Sequence, residues 1–103
     1  MNLNKYLPLT ETTYYILVAL LESGHGYYIM QKVEELSGGR VRIAAGTMYG
    51  AIENLLEQKL IQPMPSSDKR RKVYQITELG KEVLHLEAER LRHLIEVAEN
   101  HNL

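Results

Sequence analysis

Lys69-Arg70-Arg71-Lys72 is the densest run of charge in this 103-residue chain, and side chains of this kind neutralise phosphates. Upstream, Gly46-Thr47-Met48-Tyr49-Gly50-Ala51-Ile52 runs into Asn54-Leu55-Leu56. At helical spacing this places Met48, Ile52, Leu55 and Leu56 on one face and Thr47, Gly50 and Asn54 on the other. Gly50 and Ala51 let a helix backbone approach a surface closely, while Thr47 and Asn54 carry short polar groups that reach base edges or phosphates. Asn54 in particular suits adenine. Tyr49, near the start of the segment, either donates its hydroxyl to a phosphate or packs half-buried, and Tyr27 has the same two readings. Together these residues describe a helix for a major groove about 12 Å wide and a basic loop for the phosphate backbone or the minor groove.

Other chemistries find less support. Of the four histidines, His85 and His93 fall among polar positions without a clustered third ligand, His101 lies near the last residue, and His25 beside Gly26 fits a capping role. No serine–histidine–acid set, phosphate-cradling glycine loop or paired carboxylates can be assembled. An enzyme, a metal and a cofactor are therefore not expected. The absence of cysteine excludes disulfides and thiolate chemistry and is compatible with the reducing cytoplasm, the expected location. The longest apolar run, Tyr14 to Leu21, is eight residues, far short of the roughly 20 that cross a bilayer. Neither a membrane span nor a secretory leader is expected.

Charge is unevenly distributed. Residues 59–76 hold five basic side chains and one acidic, whereas the segments on either side are each net acidic and the whole chain carries −1. A basic tip on a mildly acidic body implies local, oriented contact with a polyanion rather than general coating of it. At 45% hydrophobic and 24% charged, the composition is that of one globular unit with a small core.

The elements that position these residues are legible. Thr10 caps a helix that carries Tyr14–Leu21 and ends at Ser23-Gly24. Ile29, Val33 and Leu36 space out a second helix over Tyr27–Leu36, closed by Ser37-Gly38-Gly39. Arg40-Val41-Arg42-Ile43 alternates as a short edge strand, with Arg40 and Arg42 solvated on it. Ala45-Gly46-Thr47 opens the third helix, which runs to about Lys59. Leu60–Pro65 and Val73–Ile76 form a hairpin around Ser66-Ser67-Asp68 and the basic run, with the prolines at an edge. Thr77 then caps a long last helix with Glu78 in its first turn.

Two apolar stripes run along that last helix: Leu84, Ala88, Leu91, Ile95 and Ala98, and beside them Leu79, Val83, Leu86, Leu94 and Val97, interrupted by Arg90. One packing partner needs one stripe of roughly 100°. The second stripe implies a second partner, most simply another copy of the chain in a twofold dimer.

His25-Gly26-Tyr27 at the second helix, Gly46-Thr47-Met48-Tyr49 at the third, Leu55-Leu56 followed by Leu60-Ile61, and Arg71-Lys72-Val73-Tyr74-Gln75-Ile76-Thr77-Glu78-Leu79-Gly80 occur in this order. With these motifs the chain resembles the PadR family of winged-helix transcriptional regulators, in the short form with one C-terminal dimerisation helix, over nearly all of residues 9–98. It differs from the family's usual pattern at Gly50 (often proline), Asn54 (basic), Tyr28 (acidic) and Gln75 (arginine). These differences bear on which bases are read.

The expected fold is mainly α with a small β-hairpin wing: a winged-helix DNA-binding unit at 1–76 and a dimerisation helix at 77–103 in the same compact unit. The expected function is sequence-specific binding of double-stranded DNA as a homodimeric repressor on a pseudo-palindromic operator. The expected DNA contacts are Tyr27, Thr47, Tyr49, Gly50, Asn54, Lys69, Arg70, Arg71 and Lys72, and the expected dimer contacts are Leu84, Ala88, Leu91, Ile95 and Ala98. The alternative is a winged-helix module that binds protein through its Tyr-rich first helix and wing, without DNA. The resemblance also implies a small hydrophobic effector at the dimer interface, since some short PadR regulators bind flat drugs there. Tyr14, Tyr15 and Leu91 are the residues for it, although both tyrosines also suit the core. With no tryptophan or phenylalanine in the chain, planar cations should bind weakly, leaving an aliphatic or amphipathic compound, or protein abundance itself, as the signal.

Overall fold

Among the described residues, three of the four α-helices begin where a polar side chain takes up a free backbone N–H. Thr10 accepts from the Thr13 amide and opens α1, Glu11–Ala19. The His25 imidazole accepts from the Tyr28 amide and opens α2, Gly26–Leu36. Thr77 accepts from the Gly80 amide and opens α4, Glu78–Asn100. The exception is α3, Ala45–Glu57, whose capping position is Ala44 and makes no side-chain bond. In this computed structural model residues 2–68 and 70–103 are described, so Lys69 of the basic run lies outside the described residues.

A three-stranded antiparallel sheet joins the helices. Its strands are β1, Gly24–His25, β2, Ile61–Met64, and β3, Val73–Ile76, in the order β1-β3-β2. Ile61 pairs with Ile76 and Met64 with Val73, so the hairpin expected from the sequence is present and Pro63 sits on edge strand β2. The third strand is not the expected one. Gly24 and His25 pair with Tyr74 and Val73, whereas residues 40–43 form no strand. The backbone of Val41 is occupied by Ser37, whose hydroxyl accepts the Val41 N–H at 2.9 Å and donates to its carbonyl at 3.3 Å. Arg40 and Arg42 turn aside to pair with Glu11 and Glu34. Alternation in that segment records one buried side chain, Ile43, and two paired arginines rather than a ladder.

The core lies between the sheet and the helices. Ile16, Leu17 and Leu20 meet Ile29 and Val33 of α2 and Met48, Ile52 and Leu55 of α3, closed by Leu60, Ile76, Val83 and Leu84. α1 is shorter than expected, ending at Ala19, and the chain beyond it is hooked to the sheet by the Ile76 amide donating to the Leu20 carbonyl at 2.9 Å. At its start α4 is pinned harder. The Thr77 amide and hydroxyl donate to the Leu60 and Lys59 carbonyls, and a Cβ at Gly80 would stand 2.2 Å from the Leu60 carbonyl oxygen.

One buried polar group was not anticipated. Glu87, 1% exposed, accepts from the Leu9 amide at 2.6 Å and from Arg90, tying the segment before α1 to α4. Hydrogen bonding from Arg90, and then from Leu9, holds its carboxyl below the usual carboxylate range against the opposing effect of burial.

Candidate nucleic-acid interface

The outward face of α3 is built by subtraction. Met48, Ile52 and Leu55 are buried, which turns Thr47, Tyr49, Gly50, Glu53 and Asn54 to the surface. Nothing lies within 4 Å of where a Cβ would stand at Gly46 or Gly50. These glycines therefore relieve no crowding within the chain and leave bare helix backbone facing outward. The uncapped first turn adds free N–H groups, and it contains no acidic residue, an arrangement that favours an anion.

Beside α3 stands the loop between β2 and β3. Asp68 shapes it by accepting the Arg70 amide on its carboxylate at 2.9 Å and the Arg71 amide on its carbonyl at 3.1 Å. This turn chemistry is typical of aspartate, and it uses the loop's one acid internally. Arg70, Arg71 and Lys72 are exposed. Together with Tyr27, Tyr49, Glu53 and Tyr74 they line a cleft of about 670 Å³ between the wing and α3.

The tyrosines on this cleft are surface groups. Tyr27 is 64% exposed and Tyr49 54%, so neither is a core residue. Gln31 donates to the Tyr27 hydroxyl oxygen, leaving that hydroxyl's own proton directed elsewhere. The Tyr49 hydroxyl lies 3.2 Å from where a Cβ at Gly26 would stand, so Gly26 makes room for it at the start of α2. Tyr74 is buried, and desolvation, followed by Tyr49 and Glu53, pushes its phenol above the usual range. It remains a neutral donor.

Two residues on this surface escaped the sequence analysis. Glu53 follows Gly50 by three positions on the same helical face, so a wheel drawn for charge as well as size would have found it. His25 was recognised as a cap, but its other ring nitrogen lies 3.1 Å from the Arg71 guanidinium. No spacing rule links positions 46 residues apart. Only the β1–β3 pairing brings them together.

The expected dimer stripe is divided by depth. Leu84 belongs to the core of its own chain, a correction to its place in an open stripe, because the first two turns of α4 pack on the sheet and α1. Ala88 and Ala98 are half-buried. Leu91 and Ile95 are exposed, as are Leu94 and Val97 of the neighbouring stripe. Tyr14 and Tyr15 are half-buried and meet edge to face with ring centroids 6.2 Å apart. They line, with Leu91, Leu9 and Arg90, a cleft of about 380 Å³. The structure thus brings the three expected effector residues together. Among the described residues there is no group of three metal-ligating side chains and no helix long and apolar enough to cross a membrane.

Comparison with known proteins agrees with this architecture. The Transcriptional regulator PadR-like family matches residues 16–86. The chain belongs to this family. It is 32% identical over 80 residues to an uncharacterized 37.1 kDa transposon protein of Streptomyces fradiae, covering 77% of this chain but only 22% of that relative's length. A PadR family transcription regulator from Clostridium difficile is 26% identical, with 88% of this chain and 98% of that one covered and a TM-score of 0.72. The structure of Bacillus subtilis PadR in complex with operator DNA shares the fold at 24% identity and a TM-score of 0.63, covering 76% of this chain and 46% of that one.

Proposed function

We propose that this protein is a sequence-specific DNA-binding repressor that acts as a homodimer on a pseudo-palindromic operator. Residues 1–76 are the DNA-binding unit and 77–103 the dimerisation helix. The observation that carries this reading is the cleft where the bare, uncapped face of α3 and the cationic wing open side by side. A polyanionic duplex satisfies both at once: α3 enters a major groove with Thr47, Gly50 and Asn54, while Tyr27, Tyr49, Arg70, Arg71 and Lys72 hold phosphates. That a structural relative was solved with operator DNA supports the same reading. Arg40 and Arg42 are already paired with acids and take no part.

Dimerisation is assigned to the exposed Leu91, Leu94, Ile95 and Val97 of α4, with a second copy of the chain as the cover. Two recognition helices then fall on half-sites about 34–36 Å apart, one turn of the duplex. The cleft of Tyr14, Tyr15 and Leu91 is the effector site. Both carboxylates on it are engaged, Glu87 by Arg90 and Leu9 and Glu11 by Arg40, so no free carboxylate awaits a cation, which favours an aliphatic or amphipathic effector.

The test is the salt dependence of duplex binding. Changing Arg70 and Arg71 together to alanine should weaken binding to every sequence similarly and reduce the log–log salt slope by about one per lost phosphate contact. Asn54→Ala should keep that slope and relax preference at one base pair by about 1–3 kcal/mol. A wild-type protein without salt-sensitive duplex binding would be a protein-interaction module instead.

A further inference from the structure

The contact between His25 and Arg71 is chemically incomplete. Nδ1 of His25 accepts the Tyr28 amide at 3.2 Å. A backbone N–H can only donate, so Nδ1 carries no proton, and in the imidazole the proton is on Nε2. Nε2 is the atom 3.1 Å from the Arg71 guanidinium nitrogen, and a guanidinium is also only a donor. Two donor nitrogens therefore stand 3.1 Å apart with no acceptor between them. What satisfies both is an acceptor with several lone pairs and negative charge.

We propose that His25 and Arg71 form a two-donor clamp for a single DNA backbone phosphate, with His25 as a positioning residue that has no base to read. The inference rests on the DNA-binding reading and deepens it by giving the wing a fixed partner on the body. His25 is held on three sides: its Nδ1 is committed to α2, its backbone pairs with Val73 in β3, and its ring stacks near Tyr27 with centroids 6.5 Å apart. Arg71, by contrast, comes from an exposed loop. A phosphate gripped by both joins an exposed cation to a donor that folding has already oriented, which lowers the ordering cost of the wing on binding. Gly26 next to it admits the Tyr49 hydroxyl, so donors from α2, α3 and the wing converge on the same cleft.

The variant His25→Asn separates the two jobs of the ring. A short amide at this position still caps α2, but it has no group that reaches the Nε2 position. Duplex affinity should fall roughly tenfold on all sequences, as expected for losing a hydrogen bond to a charged group, with the salt slope unchanged. Arg71→Ala should lower affinity and reduce the slope by about one. Because both donors hold one phosphate, the double variant should lose clearly less than the product of the single losses. Multiplicative losses, or wild-type affinity in His25→Asn, would overturn the clamp. Nitrogen-15 spectra of the imidazole decide the matter independently of that variant's folding and of any operator. The free protein should show the Nε2–H tautomer, and millimolar inorganic phosphate should shift Nε2 in the wild type but not in Arg71→Ala. An Nδ1–H tautomer would make Arg71 an ordinary donor to the ring and end the proposal. Phosphate shifts in a protein without duplex binding would refute the assignment to DNA, and the proposed function with it.

Discussion

α3 and the far half of α4 each turn a full helical face to water, and water affects the two in opposite ways. The outer face of α3 carries Thr47, Tyr49, Glu53 and Asn54 around the bare backbone of Gly46 and Gly50, mostly polar groups that hydrate readily. The outer face of α4 carries Leu91, Leu94, Ile95 and Val97, between 37% and 59% exposed. Covering each such side chain contributes on the order of 1 kcal/mol. The first face has little tendency to associate by itself and depends on the wing for charge. In the proposed dimer it is the second that drives association, without any charge. Affinity for a polyanion and assembly into a dimer are thus assigned to chemically separate surfaces, and substitutions should affect one without the other.

The largest effect expected from breaking that separation is at Leu91. Leu91→Glu places a carboxylate in the seam that a second copy would desolvate, which costs several kcal/mol, about 3 or more. The dimer should become a monomer by sedimentation at micromolar concentration, and operator affinity should collapse with it. Asn54→Ala, on the other helix, should leave sedimentation untouched. A Leu91→Glu protein that remains fully dimeric would remove α4 from the interface.

Two glycines sharpen the comparison next. At Gly80 an added methyl would meet the Leu60 carbonyl oxygen at 2.2 Å and Ile76 Cγ1 at 2.6 Å, and backbone cannot step aside cheaply. Gly80→Ala should destabilise the fold by about 3 kcal/mol, read as a lower urea midpoint. At Gly50 the same methyl meets nothing within 4 Å. Gly50→Ala should therefore stabilise by up to about 1 kcal/mol through helix propensity, yet weaken duplex binding because α3 can no longer approach as closely. Equal losses of stability at both positions would contradict the packing described for α3 and α4.

Legibility in the sequence followed how local each determinant is. The caps Thr10, His25 and Thr77, the hairpin, and the split of α3 into buried and exposed faces all depend on residues within a few positions of one another, and all were anticipated. The strand expected at Arg40–Ile43 failed because alternation does not identify what satisfies the backbone; here it is Ser37. β1 was invisible because two residues carry no periodicity. Leu84 was misplaced because a stripe gives direction but not depth along α4. Glu87 and the His25–Arg71 contact depend on chain segments 78 and 46 residues apart, and no pattern within one helix reports them.

The smallest effect expected lies at Glu87, where α4 leaves the core for its exposed half. Its folded pKa is depressed, first by Arg90 and then by the Leu9 amide. The ionised carboxylate therefore stabilises the fold at pH values above the ordinary glutamate value of about 4.3, and that contribution disappears as pH falls through the lower folded value. Glu87→Gln keeps an acceptor for Leu9 but gives up the charge. Because Arg90 is partly exposed, solvent takes up some of the loss, and about 1 kcal/mol at pH 7 is expected. Urea midpoints measured at one fixed protein concentration, since dimerisation would shift them, should differ most near neutrality and converge in acid below about pH 4. Glu11 provides the control: its carboxyl is also lowered, chiefly by Arg40, but that pair lies on the surface, and Glu11→Gln should leave the midpoint nearly unchanged at every pH. A gap at Glu87 that stays constant, or widens in acid, would mean that the buried carboxyl is protonated in the folded protein and that Leu9 is held to α4 by an uncharged hydrogen bond.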